Sequence, residues 1–192
     1  MLEIVLEERF PKPVKLEDGS RVILRPLIPQ DEGALIEFFK AMPEEDLLYL
    51  RDDVKDSQVV KRWCQNLDYE ATLPLIADLE GKIVGDATLH QEKRGWRSHI
   101  GTIRAVIHPQ HRGKGIGRAL VQELIQVALD IGLVKLDAEF IAEQMRQIAI
   151  FEKMGFVNMA VLPQHVKDVK GESHDLVIMV YDLRATEHYE AD

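Results

Sequence analysis

Cysteine is nearly absent from this chain, because Cys64 is the only one among its 192 residues. A single thiol cannot form an internal disulfide, and the paired-cysteine and cysteine–histidine spacings of zinc sites are missing as well. The sequence therefore indicates a protein of a reducing compartment, and we predict no metal site.

Long apolar runs are also missing, since no stretch approaches the ~20 residues that span a bilayer. The first eight residues, Met1 to Glu8, carry acidic groups where a signal peptide would have a basic region. We expect a cytoplasmic protein with no membrane partner.

An excess of positive charge is lacking too, because 24 basic residues stand against 33 acidic ones, for a net charge of -9. Such a charge disfavours nucleic acid and anionic membranes as partners and suits a cationic or amine ligand. Hydrophobic residues make up 46% and charged residues 30% of the chain. That balance is typical of a globular protein, and we expect a single domain over residues 1–192.

The N-terminal third combines a hairpin with helical patterns. Residues 14–26 alternate around Asp18-Gly19, a dipeptide suited to a tight turn, so we expect the chain to open with a hairpin. Apolar residues then recur at helical spacing from Pro29 to Met42, and a second helical region is expected over residues 44–66, broken near residues 51–54.

The remaining chain alternates strand and helix patterns and predicts an α/β fold. The helix over residues 116–131 has a wide apolar stripe, and we expect Glu123 on its solvent-facing side. The last strand is continuously apolar, so it should be interior, and its residues 176–180 could pair across a homodimer. The predicted strands cover residues 73–79, 83–89, 97–107, 133–140, 156–162 and 175–183, with helices over 116–131 and 142–154 and a polar loop over 162–175.

The turn from His108 to Gly117 is the strongest functional signal, because it joins a strand to a long helix with three glycines and two basic residues. Glycines let successive backbone N–H groups converge, and a helix start adds free donors and partial positive charge. The turn is therefore predicted to bind a phosphate or pyrophosphate, with Arg112, Lys114 and Arg118 as countercharges.

Spacing argues against nucleotide cofactors at this turn. The string G-x-x-x-x-G-K-[ST] does not occur, and Arg118 or Leu120 stands where the dinucleotide fingerprint needs its third glycine. A nucleic-acid-binding module is also disfavoured, because the chain offers no basic surface with interleaved aromatic residues.

Residues 112–117, Arg-Gly-Lys-Gly-Ile-Gly, match the [Q/R]-x-x-G-x-[G/A] signature of the GCN5-related N-acetyltransferases, and the chain resembles this family. The flanking strand up to Ile107 and the helix at residues 148–156 are similar to the family as well. The resemblance implies a mostly antiparallel mixed sheet, splayed between its fourth and fifth strands, where the pantetheine of acyl-CoA lies. Residues 1–70 would form a wall of the acceptor site, and residues 71–185 the sheet and cofactor-binding core.

The resemblance also implies which residues bind the co-substrate, acetyl-CoA or another short acyl-CoA. Backbone groups at the end of the central strand would bind the pantetheine, and the amides of the glycine turn would bind the pyrophosphate. The implied residues are Val106, Ile107, Arg112, Gly113, Lys114, Gly115, Ile116, Gly117, Arg118, Gln144, Phe151 and Lys153.

The catalytic groups depart from the family pattern. Family members often carry a glutamate on the strand before the phosphate turn, but residues 99–105 contain no acid. Phe151 stands in the slot of a tyrosine that would protonate the leaving thiolate, and Gln144 replaces the usual asparagine. His90, His99 and Glu139 are therefore our candidates for the general base.

The expected activity is transfer of an acetyl or other short acyl group to a primary amine of a small molecule, peptide or protein, through a ternary complex. A sensor that binds acyl-CoA without turnover is the alternative, since it would keep the glycine turn and lose the acid and base. Residues 47–54, the loop over 162–175, Tyr49, Trp63 and Tyr69 are candidates for shaping the acceptor site.

Overall fold

The computed structural model of this protein describes residues 1–47, 50 and 52–184. Within these ranges, eight strands form one sheet in the spatial order β1-β2-β3-β4-β5-β6-β8-β7. The strands are β1 Lys12–Lys15, β2 Arg21–Pro26, β3 Thr72–Leu79, β4 Lys82–Gln91, β5 Ile100–Ile107, β6 Lys135–Ile141, β7 Val157–Lys167 and β8 Ser173–Asp182. The helices are α1 Leu2–Arg9, α2 Glu32–Lys40, α3 Glu44–Leu47, α4 Ser57–Gln65, α5 Ile116–Asp130 and α6 Met145–Lys153. No helix among these described residues has the length and apolar character needed to cross a bilayer.

One pair of neighbouring strands is parallel, and it is where the sheet opens. Strands β5 and β6 pair only from Ile100↔Lys135 to Thr102↔Asp137 and then separate, whereas every other neighbouring pair is antiparallel. Counted from β2, the first of the longer strands, these are the fourth and fifth strands. The expected mixed, mostly antiparallel sheet with a splay at this place is confirmed.

Helices cover both faces of the sheet. On one face α5 approaches β4 closely at Gly85, where an added Cβ would lie 2.8 Å from Ile116 Cγ2 and 3.0 Å from Leu120 Cδ1. On the other face α2 and α4 pack over a smaller apolar cluster that includes Leu35, Phe39 and the buried Cys64. The wide apolar stripe predicted for α5 is confirmed, since it packs into the larger core.

The N-terminus differs from expectation because helix α1 precedes the hairpin, so the prediction that the chain opens with a hairpin is wrong. Glu123 is also not on a solvent-facing side, since it is only 8% exposed. Its carboxylate accepts a hydrogen bond from Lys12 Nζ at 2.5 Å and lies 3.9 Å from Arg9 Nη1. Arg9 of α1 and Lys12 of β1 thus cover the Glu123 carboxylate and compensate its charge.

The C-terminal hairpin is longer than predicted, because most of the expected polar loop over residues 162–175 belongs to β7 and β8. Only residues 168–172 form the turn, where Asp168 Oδ1 accepts the N–H groups of Lys170 and Glu172. Strand β8 is interior, as predicted, between β6 and β7. Both of its edges are hydrogen-bonded, so the expectation that residues 176–180 pair across a homodimer is wrong.

Candidate active site

The glycine turn between β5 and α5 presents a row of free backbone donors. Gly113 and Gly115 adopt positive φ angles of 75° and 88°, which favour glycine, and Gly115 precedes the first residue of α5. Within the part of the chain that the structure describes, the N–H groups of residues 113–118 have no hydrogen-bond acceptor, whereas Ala119 N donates to Gly115 O. This donor set fits a pyrophosphate, which is rich in acceptors.

The basic residues of the turn are held by two acids from the N-terminal part of the chain. Arg112 donates through Nη2 to the Asp46 carboxylate on α3 and through Nε to the Ile107 carbonyl at 3.2 Å. Lys114 Nζ lies 3.0 Å from Asp18 Oδ2 in the β1–β2 turn. Neither acid was identified from the sequence, because both are far from the turn along the chain.

The other predicted residues of the turn divide into exposed and packed positions. Arg118 is exposed on the first turn of α5, whereas Ile116 is 1% exposed and packs beneath β4. A Cβ on Gly117 would lie 3.3 Å from Ile107 Cγ1, so this glycine lets α5 approach β5. The role of Ile116 is therefore to anchor the helix start that carries the donors.

The ladder between β4 and β5 decides which backbone groups face the splay. The N–H of His108 donates to Val84 O, so these two residues form a hydrogen-bonded pair of the antiparallel ladder. Such pairs occur at every second position, and the next one is Val106 with Asp86. The backbone groups of Val106 therefore point toward β4. By the same alternation, Ala105 and Ile107 present their backbone groups to the splay. The backbone groups that face the splay are therefore those of Ala105 and Ile107 and not, as expected, those of Val106, and the Ile107 carbonyl already accepts from Arg112.

The predicted cofactor residues on and before α6 have different surroundings. Gln144 Oε1 accepts the N–H of Ile141 at 3.0 Å, which fixes its amide at the end of β6. Phe151 is 6% exposed, and its ring lies 4.9 Å from the rings of both Phe140 and Phe156. Phe151 thus packs within the core, between Phe140 and Phe156. Lys153 is exposed at the last residue of the helix.

A cavity of about 380 Å³ lies on the face of the sheet that α2 and α4 cover. Apolar side chains from these helices and polar side chains from β4 and β5 share its wall. The exposed carboxylates of Asp52 and Asp68 stand at its rim. Asp68 is paired with Lys93 at 3.0 Å, so Asp52 is the rim carboxylate that suits a cationic ligand. The lining includes Leu27, Leu35, Phe39, Leu50, Val54, Trp63, Thr72, Asp86, Thr88, His90, Arg104 and Val106.

The expected acceptor-site residues are placed as follows. Trp63 and residues 50, 52 and 54 line the cavity, whereas no residue of the predicted loop over 162–175 does. Tyr69 packs against the core and donates its hydroxyl to Leu27 O. Tyr49 lies outside the described residues.

The three predicted base candidates are not brought together. His90 lines the cavity with Nδ1 3.3 Å from Thr72 Oγ1. Glu139 on β6 is exposed and lies across the splay from β5, with Oε2 3.8 Å from Arg104 Nη2. His99 is exposed in the turn before β5 and does not line the cavity, while its carbonyl accepts the Val134 N–H at 2.9 Å.

The sequence analysis missed Asp86, an acid on β4 that lines the cavity beside Thr88. Its Oδ1 atom is inaccessible to solvent and has no hydrogen-bond partner among the described residues. Burial raises the pKa of the Asp86 carboxyl to about 7, although the neighbouring Thr88 hydroxyl acts in the opposite direction. Alternation along β4 places residues 86, 88 and 90 on one face of the strand, but it does not indicate that α2 and α4 cover that face.

The sequence model of the acetyltransferase (GNAT) family matches residues 36–156, which contain the glycine turn, β3 to β6 and α6. Two characterised relatives act on amino acids or their analogues, according to their names. An L-amino acid N-acyltransferase from Escherichia coli K12 is 32% identical over 114 residues, which are 57% of this chain and 63% of that protein. The chain thus spans less than two thirds of that relative's length.

A second relative and a solved structure extend the comparison. The L-methionine sulfoximine/L-methionine sulfone acetyltransferase of Salmonella typhimurium is 31% identical over 123 residues, which are 62% of this chain and 68% of that protein. The structure of RimJ from Mycobacterium smegmatis in complex with CoA-disulfide aligns with a TM-score of 0.73 at 21% identity. That alignment covers 92% of this chain and 90% of the other, and it shows a shared fold.

Proposed function

This chain belongs to the acetyltransferase (GNAT) family, and on that premise we propose that it transfers an acetyl or other short acyl group from acyl-CoA to the amine of a small molecule. The observation that carries the proposal is the row of free N–H groups over residues 113–118, which adjoins a splayed sheet edge. A cavity with an acidic rim lies on the same strand pair. The arrangement offers one place for an anionic donor and another for a cationic acceptor.

The co-substrate is held by backbone groups in this proposal. The pyrophosphate lies on the N–H groups of residues 113–118, with Arg112, Lys114 and Arg118 around it, and the pantetheine follows Ala105 and Ile107 into the splay. Gln144 and Lys153 stand on the opposite side of the splay. RimJ, whose structure contains CoA-disulfide, supports CoA as the ligand of such a fold.

The acceptor lies in the cavity under α2 and α4, with residues 1–70 as one wall. Arg104 is a polar residue of the floor, and its guanidinium can pair with a carboxylate. Leu35, Phe39 and Trp63 give the cavity an apolar side. A small α-amino acid with an apolar side chain matches these surfaces, and the names of both characterised relatives support this class.

Acyl transfer in this proposal results from binding acyl-CoA and the acceptor amine next to each other. Bound acyl-CoA supplies a thioester carbonyl, an activated acyl group. The protein holds the acceptor amine beside the splay, where the attack becomes effectively unimolecular, and backbone N–H groups of β5 can stabilise the developing oxyanion. A neutral amine is required, so the ammonium form must lose a proton first.

Thermal unfolding with ligands tests the co-substrate site. Acetyl-CoA and CoA at about 100 times Kd should stabilise the protein by about 2.7 kcal/mol, which corresponds to a Tm shift of about 5–11 °C, and ATP should not. The double variant Arg112→Gln/Lys114→Gln should lose most of the shift. Arg94→Gln, at an exposed arginine in the β4–β5 turn, is the matched control and should keep it.

The acceptor class is tested by thiol release from acetyl-CoA with paired amines. L-methionine should be acetylated with a kcat/KM at least ~10-fold above that of methioninol, which lacks the carboxylate. Spermidine and an alanyl peptide complete the panel. Stabilisation by CoA without thiol release from any amine would instead favour the non-catalytic acyl-CoA sensor considered from the sequence.

A further inference from the structure

Asp86 occupies the part of the cavity floor that adjoins the splayed strand. Its ladder partner on β5 is Val106, which lies between the two residues whose backbone faces the splay, Ala105 and Ile107. Neighbouring strands are ~4.8 Å apart, so the Asp86 carboxyl stands about one strand spacing from the edge that would hold the acyl group. An amine in the cavity can be reached from this position directly or through one water molecule.

The Asp86 carboxyl also has spare hydrogen-bonding capacity. Its Oδ1 is buried and has no partner among the residues that the structure describes, although a carboxylate oxygen can accept two hydrogen bonds. An acceptor ammonium would supply the donor that this oxygen lacks. Burial also keeps the pKa of Asp86 near neutrality, at about 7, where a carboxylate is basic enough to accept a proton.

Two other titratable or charged side chains of the β4–β5 pair, Arg104 and His90, line the same cavity as Asp86. Arg104 Nη2 lies 3.8 Å from Glu139 Oε2 across the splay, and His90 Nδ1 lies 3.3 Å from Thr72 Oγ1. Cys64 on α4 has its thiol pKa raised to about 11 by burial and by the nearby Glu32, Asp31 and Asp86, so it stays neutral. The exposed carboxylate of Asp52 at the rim favours a cation in the cavity, whereas that of Asp68 is paired with Lys93.

We propose that Asp86 is the general base that deprotonates the acceptor ammonium, in place of the glutamate that residues 99–105 lack. This inference rests on the proposed function. The carboxylate takes one proton from the ammonium, and the neutral amine then forms a new N–C bond to the thioester carbonyl. When the C–S bond breaks, the thiolate leaves with the electron pair and takes the second nitrogen proton, directly or through water. Asp86 finally releases its proton to solvent.

The pH dependence of turnover tests this role. We measure thiol release from acetyl-CoA with L-methionine between pH 5.5 and 9.5 for wild type, Asp86→Asn and the control Asp130→Asn, an exposed aspartate at the last residue of α5 and outside the cavity lining. Asp86→Asn should lower kcat by roughly 10²-fold near pH 7, with the deficit shrinking above the pKa of the amine. It should keep the stabilisation by acetyl-CoA, and Asp130→Asn should resemble wild type.

A second variant distinguishes the loss of a proton acceptor from a folding defect in Asp86→Asn. Asp86→Ala leaves room for formate, which should restore part of the lost kcat if the missing group is a proton acceptor. Asp86→Asn with raised KM but unchanged kcat and pH profile would mean that Asp86 only binds the ammonium, and it would overturn the proposal. Wild-type protein that acetylates no amine would contradict the proposed function itself.

Discussion

At the scale of single residues, the Asp86 carboxyl makes the stability of the protein depend on pH. Its pKa is about 7 in the folded protein and about 4 in an unfolded chain, so the folded state binds more protons between these values. The free energy of unfolding therefore falls as pH rises through this window. Above this window, the buried charge of Asp86 lowers the free energy of unfolding by an amount that no longer changes with pH.

We predict that Asp86→Asn removes this cost. The variant should be more stable than wild type above pH 8, by an amount on the order of a few kcal/mol, and the advantage should shrink as pH falls toward 5. Chemical denaturation of both proteins at several pH values measures the difference. A difference that does not change with pH would show that Asp86 ionises normally in the folded state.

The residues of the candidate site differ in how far a sequence can predict them. The glycine turn was predictable because the conformations of Gly113 and Gly115 and the start of α5 are local properties. Asp86 was not, because its burial comes from α2 and α4, which are distant along the chain. The burial of Glu123 was not predicted for the same reason, because the side chains that shield it and balance its charge are those of residues 9 and 12.

At the scale of elements, the contact between β4 and α5 holds the glycine turn in place. Gly85 lets Ile116 and Leu120 approach the strand, and both of these side chains are no more than 1% exposed. Since the interior is close-packed, neither side chain has room to move away from an added methyl group. The start of α5 therefore depends on a glycine about thirty positions before it.

Two glycine-to-alanine substitutions should have opposite effects on stability. Gly85→Ala should lower the free energy of unfolding by about 1–3 kcal/mol through overpacking. Gly33→Ala, on α2 where nothing lies within 4 Å of the added Cβ, should raise it by about 0.5–1 kcal/mol. Urea denaturation of the two variants beside wild type gives both values. Equal effects of one sign would contradict the packing argument.

Element prediction succeeded where periodicity was strong and failed where it was weak. Helix α5 and strands β3 to β5 carry long apolar patterns, and their positions were predicted within a few residues. Helix α1 buries only Leu2 and Leu6, so its pattern is faint. The ends of β7 and β8 are largely polar because they are exposed, and such residues resemble a loop in sequence.

At the scale of the whole molecule, the negative net charge opposes the binding of an anionic co-substrate. The chain carries a formal charge of -9, and the cations Arg112 and Lys114 are already paired with Asp46 and Asp18. A hydrogen bond from the Ser20 hydroxyl and the ion pair with Lys114 hold the pKa of Asp18 well below its usual range, so it is charged at any physiological pH. In the proposed binding mode, acetyl-CoA therefore competes with these two carboxylates for the cations.

We predict that Asp18→Asn strengthens the binding of acetyl-CoA by about 2- to 5-fold at low ionic strength, with a smaller gain at high salt. Isothermal titration at two salt concentrations measures the effect. Asp53→Asn removes the same charge away from the turn and should change affinity less. Weaker binding in Asp18→Asn would mean that the acid positions Lys114 for the ligand and does not compete with it.

The place of β8 in the sheet also sets an order of events during synthesis on the ribosome. Strands β6 and β7 do not pair with each other, and each of them pairs with β8, which follows both along the described part of the chain. The β1-to-β5 half can form while the chain is still emerging, because each of its strands pairs with the next in sequence. The half beyond the splay must wait for residue 182. A nascent chain thus gains strands β1 to β5 and the glycine turn first, and β8 then completes the other side of the splay.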